Sequence, residues 1–334
     1  MSNLEPHPQE MLCGNEAEVG VARSRVELLE PREVPLGGPR AMNVRRTLPQ
    51  RQRSLIGAWC FVDHYGPDEV SETGGMRVPP HPHTGLQTVS WLFTGEIEHR
   101  DSAGFHAFVR PGELNLMTAG RGICHSEVST AETTVLHGAQ LWVALPGHAR
   151  FNDPGFDHYA PEPVSTDAYE LRVFMGSLAG SVSPVALHSP LLGAELLLKP
   201  GQSAVFDVEE SFEHGVLVDS GTVRFNGATA TADQLAYLPT GHREIELTSE
   251  TDEPVRLLLI GGEPMGEAIV MWWNFVGRDH DEVVEFRANW QAEIGAEPHP
   301  AAAAATNQFG TVVGNTLAPL PAPTLPNARI RPRR

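Results

Sequence analysis

Apolar and polar residues alternate in short runs broken by glycine and proline along most of the chain, a pattern that predicts many strands and few helices. From His81 to Phe93 the odd positions carry His81, His83, Gly85, Gln87, Val89, Trp91 and Phe93. Read as one strand, this face sets two imidazoles at one end and large apolar groups at the other, as expected of a pocket wall that continues into core. Thr94-Gly95 and Pro111-Gly112 read as turns, residues 113–117 as a further strand, and residues 119–122 as a tight connection into Ile123-Cys124-His125-Ser126-Glu127.

Strands of this texture accumulate between about residues 58 and 145, and a second block of the same kind runs from about 169 to 263. The expected fold class is therefore all-β, two barrels in tandem with a short C-terminal helix. The expected division is a loose N-terminal segment over residues 1–29, a first barrel over 30–150, a second barrel with its helix over 151–296, and an Ala/Pro-rich tail over 297–334. Residues 268–276 read as a buried strand bridging the barrels. Asp279, with Glu282 three positions on, marks a helix start, and Val283, Phe286, Trp290 and Ile294 then fall on one face. The tail, an alanine run followed by a Pro-rich stretch, cannot bury enough surface to fold alone, though residues 309–313 have the composition to pair with a barrel edge.

Composition narrows the classes of partner. A formal charge of -18 with a single lysine, Lys199, argues against direct binding to nucleic acid, which depends on basic side chains neutralising phosphates. No apolar run approaches the roughly 20 residues that span a bilayer, so a membrane partner is not expected. Three separated cysteines form neither a disulfide framework nor a CxxC pair, and no signal-peptide pattern opens the chain. A reduced, cytoplasmic setting is the expectation.

The candidate chemistry lies in His81-Pro82-His83 and His125-Ser126-Glu127. On strands, residues two apart leave the same face with Cα atoms roughly 6.6 Å apart, so each pair can lean onto one ion. Spacing alone is weak: with 15 histidines, chance supplies roughly one such pair, and His242-x-Glu244 and His280-x-Glu282 also occur. The last opens the predicted helix, where residues two apart diverge, and reads as a surface pair. In the second block His214 and His242 stand alone, which fits satisfied or surface histidines and a barrel without metal.

Gly75, five intervening residues, His81-Pro82-His83 and then Gly95 resemble the first cupin motif, and the runs HPHTGLQTV (81–89), LNLMTAGRGICHSE (114–127), QLWVALP (140–146) and FVDHYGP (61–67) resemble the pirin branch of the cupins. The resemblance covers roughly residues 30–295. It implies two cupin jelly-roll barrels and one metal bound by His81, His83, His125 and Glu127. Two departures from the general cupin pattern are Gln87, where a glutamate is common, and the longer spacing from Gly120 to His125; the His125-x-Glu127 pair fits the pirin variant.

Three neutral imidazoles and one carboxylate leave a six-coordinate divalent ion with two open positions, enough for dioxygen and a chelating substrate. The resemblance implies iron(II) as the cofactor, while Mn, Ni, Cu and Co suit the same donors. Pirins with quercetin 2,3-dioxygenase activity imply a flavonol, enol or phenol substrate together with dioxygen, and Glu127 as catalytic base. The alternative the family implies is a non-catalytic redox sensor whose iron state controls binding of a regulatory protein. Around the ligands, Gln87 is a candidate substrate contact or outer donor, or a residue that only satisfies backbone. Gln140 and Trp142 are candidates for the pocket lining or the core, and Asp63 for orienting a ligand histidine.

Overall fold

The computed structural model describes residues 26–36, 42–301 and 307–332. Within them are twenty-six strands and two helices, the longer His280–Glu293. The all-β expectation holds, and so does the duplication. Each barrel is a seven-stranded sheet facing a four-stranded one.

In the first barrel the large sheet is centred on Leu86–Thr94, Val135–Ala144 and Trp59–Glu69, and the small sheet contains Arg77–His83, Ile123–Ser129, Ile97–Asp101 and His106–Val109. In the second the equivalent large sheet is centred on Glu213–Ser220, Val255–Gly262 and Leu191–Leu198, and the small sheet on Ser203–Asp207 and Glu244–Ser249. The large sheets pack against each other. Between them one apolar cluster joins Trp59, Val89, Trp91 and Leu141 of the first barrel to Phe174, Leu217, Leu258 and Ile260 of the second. Full burial of each large side chain contributes about 1.5–3 kcal/mol. Trp59 Nε1 also reaches across to the carbonyls of Leu192 (3.2 Å) and Gly261 (3.1 Å).

Several expected boundaries shift. Residues 1–20, read as loose, lie outside the described residues, but Glu27–Leu29 is a strand that pairs antiparallel with Leu235–Leu238 of the second barrel. Gly155–Tyr159, assigned by sequence to the second barrel, pairs with Leu114–Thr118 of the first. The 268–276 segment is not one bridging strand. It is a hairpin, Val270–Trp272 and Phe275–Gly277, turning at Trp273-Asn274 with Trp273 at φ 52°.

That hairpin and the long helix return to the first barrel, because their apolar faces (Trp272, Phe275, Phe286, Trp290) cluster with Cys124 on the outside of its small sheet. The tail joins the same cluster through Phe309, Val312 and Ile330, with no strand assigned over residues 309–313. Its burial comes from Trp290, 5.5 Å from Phe309 between ring centroids, rather than from a sheet edge. Asp279 caps the helix as predicted, its side chain accepting from Glu282 N.

Candidate metal centre

The strands Arg77–His83 and Ile123–Ser129 are antiparallel neighbours, and their register sets His125 directly opposite His81. His83 then follows two residues along the same face, and Glu127 two residues along the other strand, past a register shift between His125 and Glu127. All four are buried. The imidazole centroids form a triangle of 4.3 Å (His81–His125), 5.0 Å (His81–His83) and 5.0 Å (His83–His125). Each of the three offers a ring nitrogen within 4.8 Å of the others'. A second set, His99, His125 and Glu127, meets the same 4.8 Å limit, which places the carboxylate on the His125 side of the triangle.

The outer nitrogens fix which atoms face inward. His81 Nδ1 lies 2.8 Å from the Pro79 carbonyl, and His83 Nδ1 lies 3.2 Å from the Asn274 carbonyl. A carbonyl only accepts, so both Nδ1 atoms carry the proton and both Nε2 atoms keep their lone pairs. His125 Nδ1 sits 3.3 Å from His99 Nδ1, while His99 Nε2 lies 3.1 Å from Asp101 Oδ2. The Asp101 carboxylate accepts from His99 Nε2–H, so His99 Nδ1 keeps its lone pair and accepts from His125 Nδ1–H.

Three lone pairs are thus aimed together. None of these Nε2 atoms has a hydrogen-bond partner among the described residues. Burial lowers the proton affinity of all three rings, His81 to about 4 and His83 and His125 well below the usual imidazole value. Neutral buried nitrogens with nothing to accept from are costly by about 1–3 kcal/mol each, and a divalent cation removes that cost. The donor set fits such an ion.

The other predicted residues fall differently. Ser90 Oγ lies 2.9 Å from Gln140 Oε1 and 3.4 Å from Glu127 Oε1, so Gln140 belongs to the inner polar group. Trp142 stacks on Phe61 (4.0 Å, 12°) and stands edge-on to His83 (5.1 Å), serving as both core and pocket wall.

Gln87 faces elsewhere. The chain breaks at Gly85 (φ 68°), which separates Arg77–His83 in the small sheet from Leu86–Thr94 in the large one, so alternation does not carry across. On the second strand Ser90 faces the metal ligands, whereas Val89, Trp91 and Phe93 face the other barrel; Gln87, of their parity, donates to Thr118 Oγ1 at 2.9 Å. Among the described residues Asp63 is engaged by Arg46 rather than by a ligand histidine. Arg46 grips it bidentately at 2.6 and 2.8 Å, and Arg46 in turn lies over Phe61, 4.2 Å from the ring centre.

Sequence reasoning missed His99, Asp101, Ser90 and Asn274. The signal available was His99-x-Asp101, a same-face pair on a strand, overlooked because no HxH or HxE motif marks it.

The fold and donor set define a bicupin, a tandem pair of jelly-roll barrels with a candidate metal centre in the first. The Pirin profile matches residues 41–143 and that of the Pirin C-terminal cupin domain residues 193–294. The chain is 42% identical over 261 residues to a Pseudomonas aeruginosa protein carrying the provisional name quercetin 2,3-dioxygenase, covering 78% of this chain and 82% of that one. It is 35% identical to a pirin-like protein of Caulobacter vibrioides, covering 75% and 88% of the two chains. A crystal structure titled quercetin 2,3-dioxygenase, from Acinetobacter baumannii, superposes with a TM-score of 0.83 at 38% identity, covering 92% of this chain and 97% of that one. The chain belongs to the pirin family of the cupin superfamily. Among its described residues no helix is long and apolar enough to cross a membrane.

Proposed function

We propose that this pirin is a metal-dependent dioxygenase of the quercetin 2,3-dioxygenase type, acting on a flavonol or a related enol or phenol with iron(II) as cofactor. The observation that carries the reading is the triangle of neutral imidazoles whose unpartnered Nε2 atoms face one point beside Glu127. The names of the Pseudomonas and Acinetobacter relatives point to the same chemistry. His81, His83, His125 and Glu127 would hold the ion, which when bound supplies Lewis acidity and a template for both reactants.

The protein's own groups do the rest. Glu127 is the proton acceptor for the substrate's enolic hydroxyl. Ser90 has one hydrogen for two acceptors, Glu127 and Gln140. With the Gln140 amide turned over, its NH2 donates to Ser90 and the hydroxyl is freed for Glu127, holding the carboxylate while it takes the proton. Trp142 and Phe61 form an apolar wall beside His83 that excludes water and matches a planar aromatic ring.

The test is metal analysis of natively purified protein, followed by oxygen uptake with a panel of flavonols, His83→Ala serving as control. The reading expects about one metal per chain, flavonol-dependent oxygen uptake, and loss of both in the variant. Equal metal in wild type and variant would overturn the ligand assignment. A loaded protein that consumes no oxygen with any flavonol would overturn the activity.

A further inference from the structure

The second barrel repeats the architecture of the first with different chemistry at its mouth. Where the first small sheet turns His81 and His125 inward as directly paired residues, the second turns Phe206 and Ile245 inward, also directly paired, with Ala204 and Leu247 beside them. Metal donors are replaced by hydrocarbon. Yet the end of this barrel is not filled. A cavity of about 850 Å³ opens there, within the range of small-molecule sites.

Three features of the cavity point to an organic ligand. First, His214 reaches it from the barrel interior, on the same face of its strand as Val216 and Val218. It is fully buried, and neither ring nitrogen has a hydrogen-bond partner among the described residues. A neutral imidazole needs one donor and one acceptor, so both needs are open. Burial holds it neutral by lowering its proton affinity to about 4.

Second, Val182 and Val205 line the cavity although they are 68% and 59% exposed, an apolar rim left in water, and the aromatic rings of Tyr169, Phe206 and Phe212 stand behind it. Third, the charged residues lining it are all acids: Asp207, Glu209 and Glu263, each exposed, with no arginine or lysine among the lining residues. An anion is repelled at such a mouth, and a cation is drawn to it.

We propose that the second barrel binds a small hydroxylated aromatic amine, its ammonium group held by the carboxylates at the rim, its ring between the aromatic walls, and its hydroxyl against His214. A hydroxyl both donates and accepts, so it meets either tautomer of the buried imidazole. The aromatic rings add attraction for the cation.

The experiment is calorimetric titration of the full-length protein with tyramine, 2-phenylethylamine and 3-(4-hydroxyphenyl)propionate. Tyramine binds most tightly, loss of its hydroxyl weakens binding about tenfold, and replacing its ammonium by carboxylate abolishes binding. Because His214 is a core position and its replacement can unfold the barrel, Val205→Arg is the primary variant. At an exposed rim site it places a cation in the mouth and abolishes tyramine binding without altering metal content. His83→Ala, which empties the first barrel, leaves tyramine binding intact. Binding of the carboxylate as tightly as the amine, undiminished binding by Val205→Arg, loss of binding with His83→Ala, or no binding of any probe would each overturn the proposal.

Discussion

The Nδ1 atoms of His99 and His125 lie 3.3 Å apart, a contact in which one ring must donate and the other accept. Asp101, 3.1 Å from the far nitrogen of His99, decides which does which. The chain Asp101–His99–His125 is therefore a tautomer lock whose end is a lone pair on a candidate metal ligand.

Replacing Asp101 by asparagine keeps the shape and removes the bias. Its amide can donate to His99 Nε2, which moves the His99 proton to Nδ1 and sets it against His125. We expect metal affinity to fall about 10–100-fold, measured by competition with a chromophoric chelator, with the fold unchanged by circular dichroism. Unchanged affinity would remove His99 from the metal centre's support.

Glu127→Gln tests two roles at once. The amide is a poorer ligand and does not accept the substrate proton as a carboxylate does. With iron restored to full occupancy, flavonol-dependent oxygen uptake is expected to fall about 100-fold or more. Activity within a few-fold of wild type at equal metal content would exclude Glu127 as the base.

Between the barrels His64 is held by two carboxylates, Asp219 at 2.7 Å on Nε2 and Asp233 at 2.9 Å on Nδ1, with Arg45 and His137 also in the group. Burial disfavours charge on His64, but the bonds to Asp219 and Asp233 outweigh it and raise its proton affinity above the usual imidazole value of 6.5. Burial likewise works against charge on Asp219, yet His137 and His64 hold it far below the usual carboxylate value of 3.8.

The signs follow by linkage. His64 stabilises fully below its unfolded pKa and loses that contribution as pH rises through its raised folded value. Asp219 stabilises above its unfolded pKa and loses that as pH falls through its depressed one. The clasp is complete between about pH 4 and 6.5. Asp219→Asn is expected to cost about 3 kcal/mol in that window and progressively less at alkaline pH, read as the difference in denaturation midpoint across a pH series. A pH-independent difference would show that His64 is neutral in the folded protein.

Gly85 allows the close approach of the hairpin that supplies the Asn274 carbonyl. A Cβ there would sit 2.2 Å from the Val276 carbonyl oxygen, at a φ of 68° that side chains rarely adopt. Gly85→Ala is expected to lower stability by about 1–3 kcal/mol and to weaken metal retention, since the hairpin that orients His83 must retreat. Thermal melting with metal analysis on the same sample checks both.

Much of this is legible in the sequence. Alternation and turn residues gave the strands, Asp279 with Glu282 gave the helix start, and the two i, i+2 pairs gave the candidate ligands, because strand periodicity acts over two residues and is written locally. Gln87 shows where that reasoning stops. Parity holds within each strand and fails across Gly85, where the backbone changes sheets. Asp63 shows a second limit, since its partner Arg46 lies seventeen residues away and only strand pairing joins them.

By itself the sequence determined which residues could bind a metal, the all-β class, and the duplication, for these rest on side-chain chemistry and short-range periodicity. Only the tertiary structure decided that His81 stands opposite His125, that a hairpin nearly two hundred residues downstream orients His83, and that the tail and helix pack on the first barrel. Those outcomes depend on register and on which apolar faces meet, and such contacts are fixed by the whole chain closing on itself rather than by any segment of it.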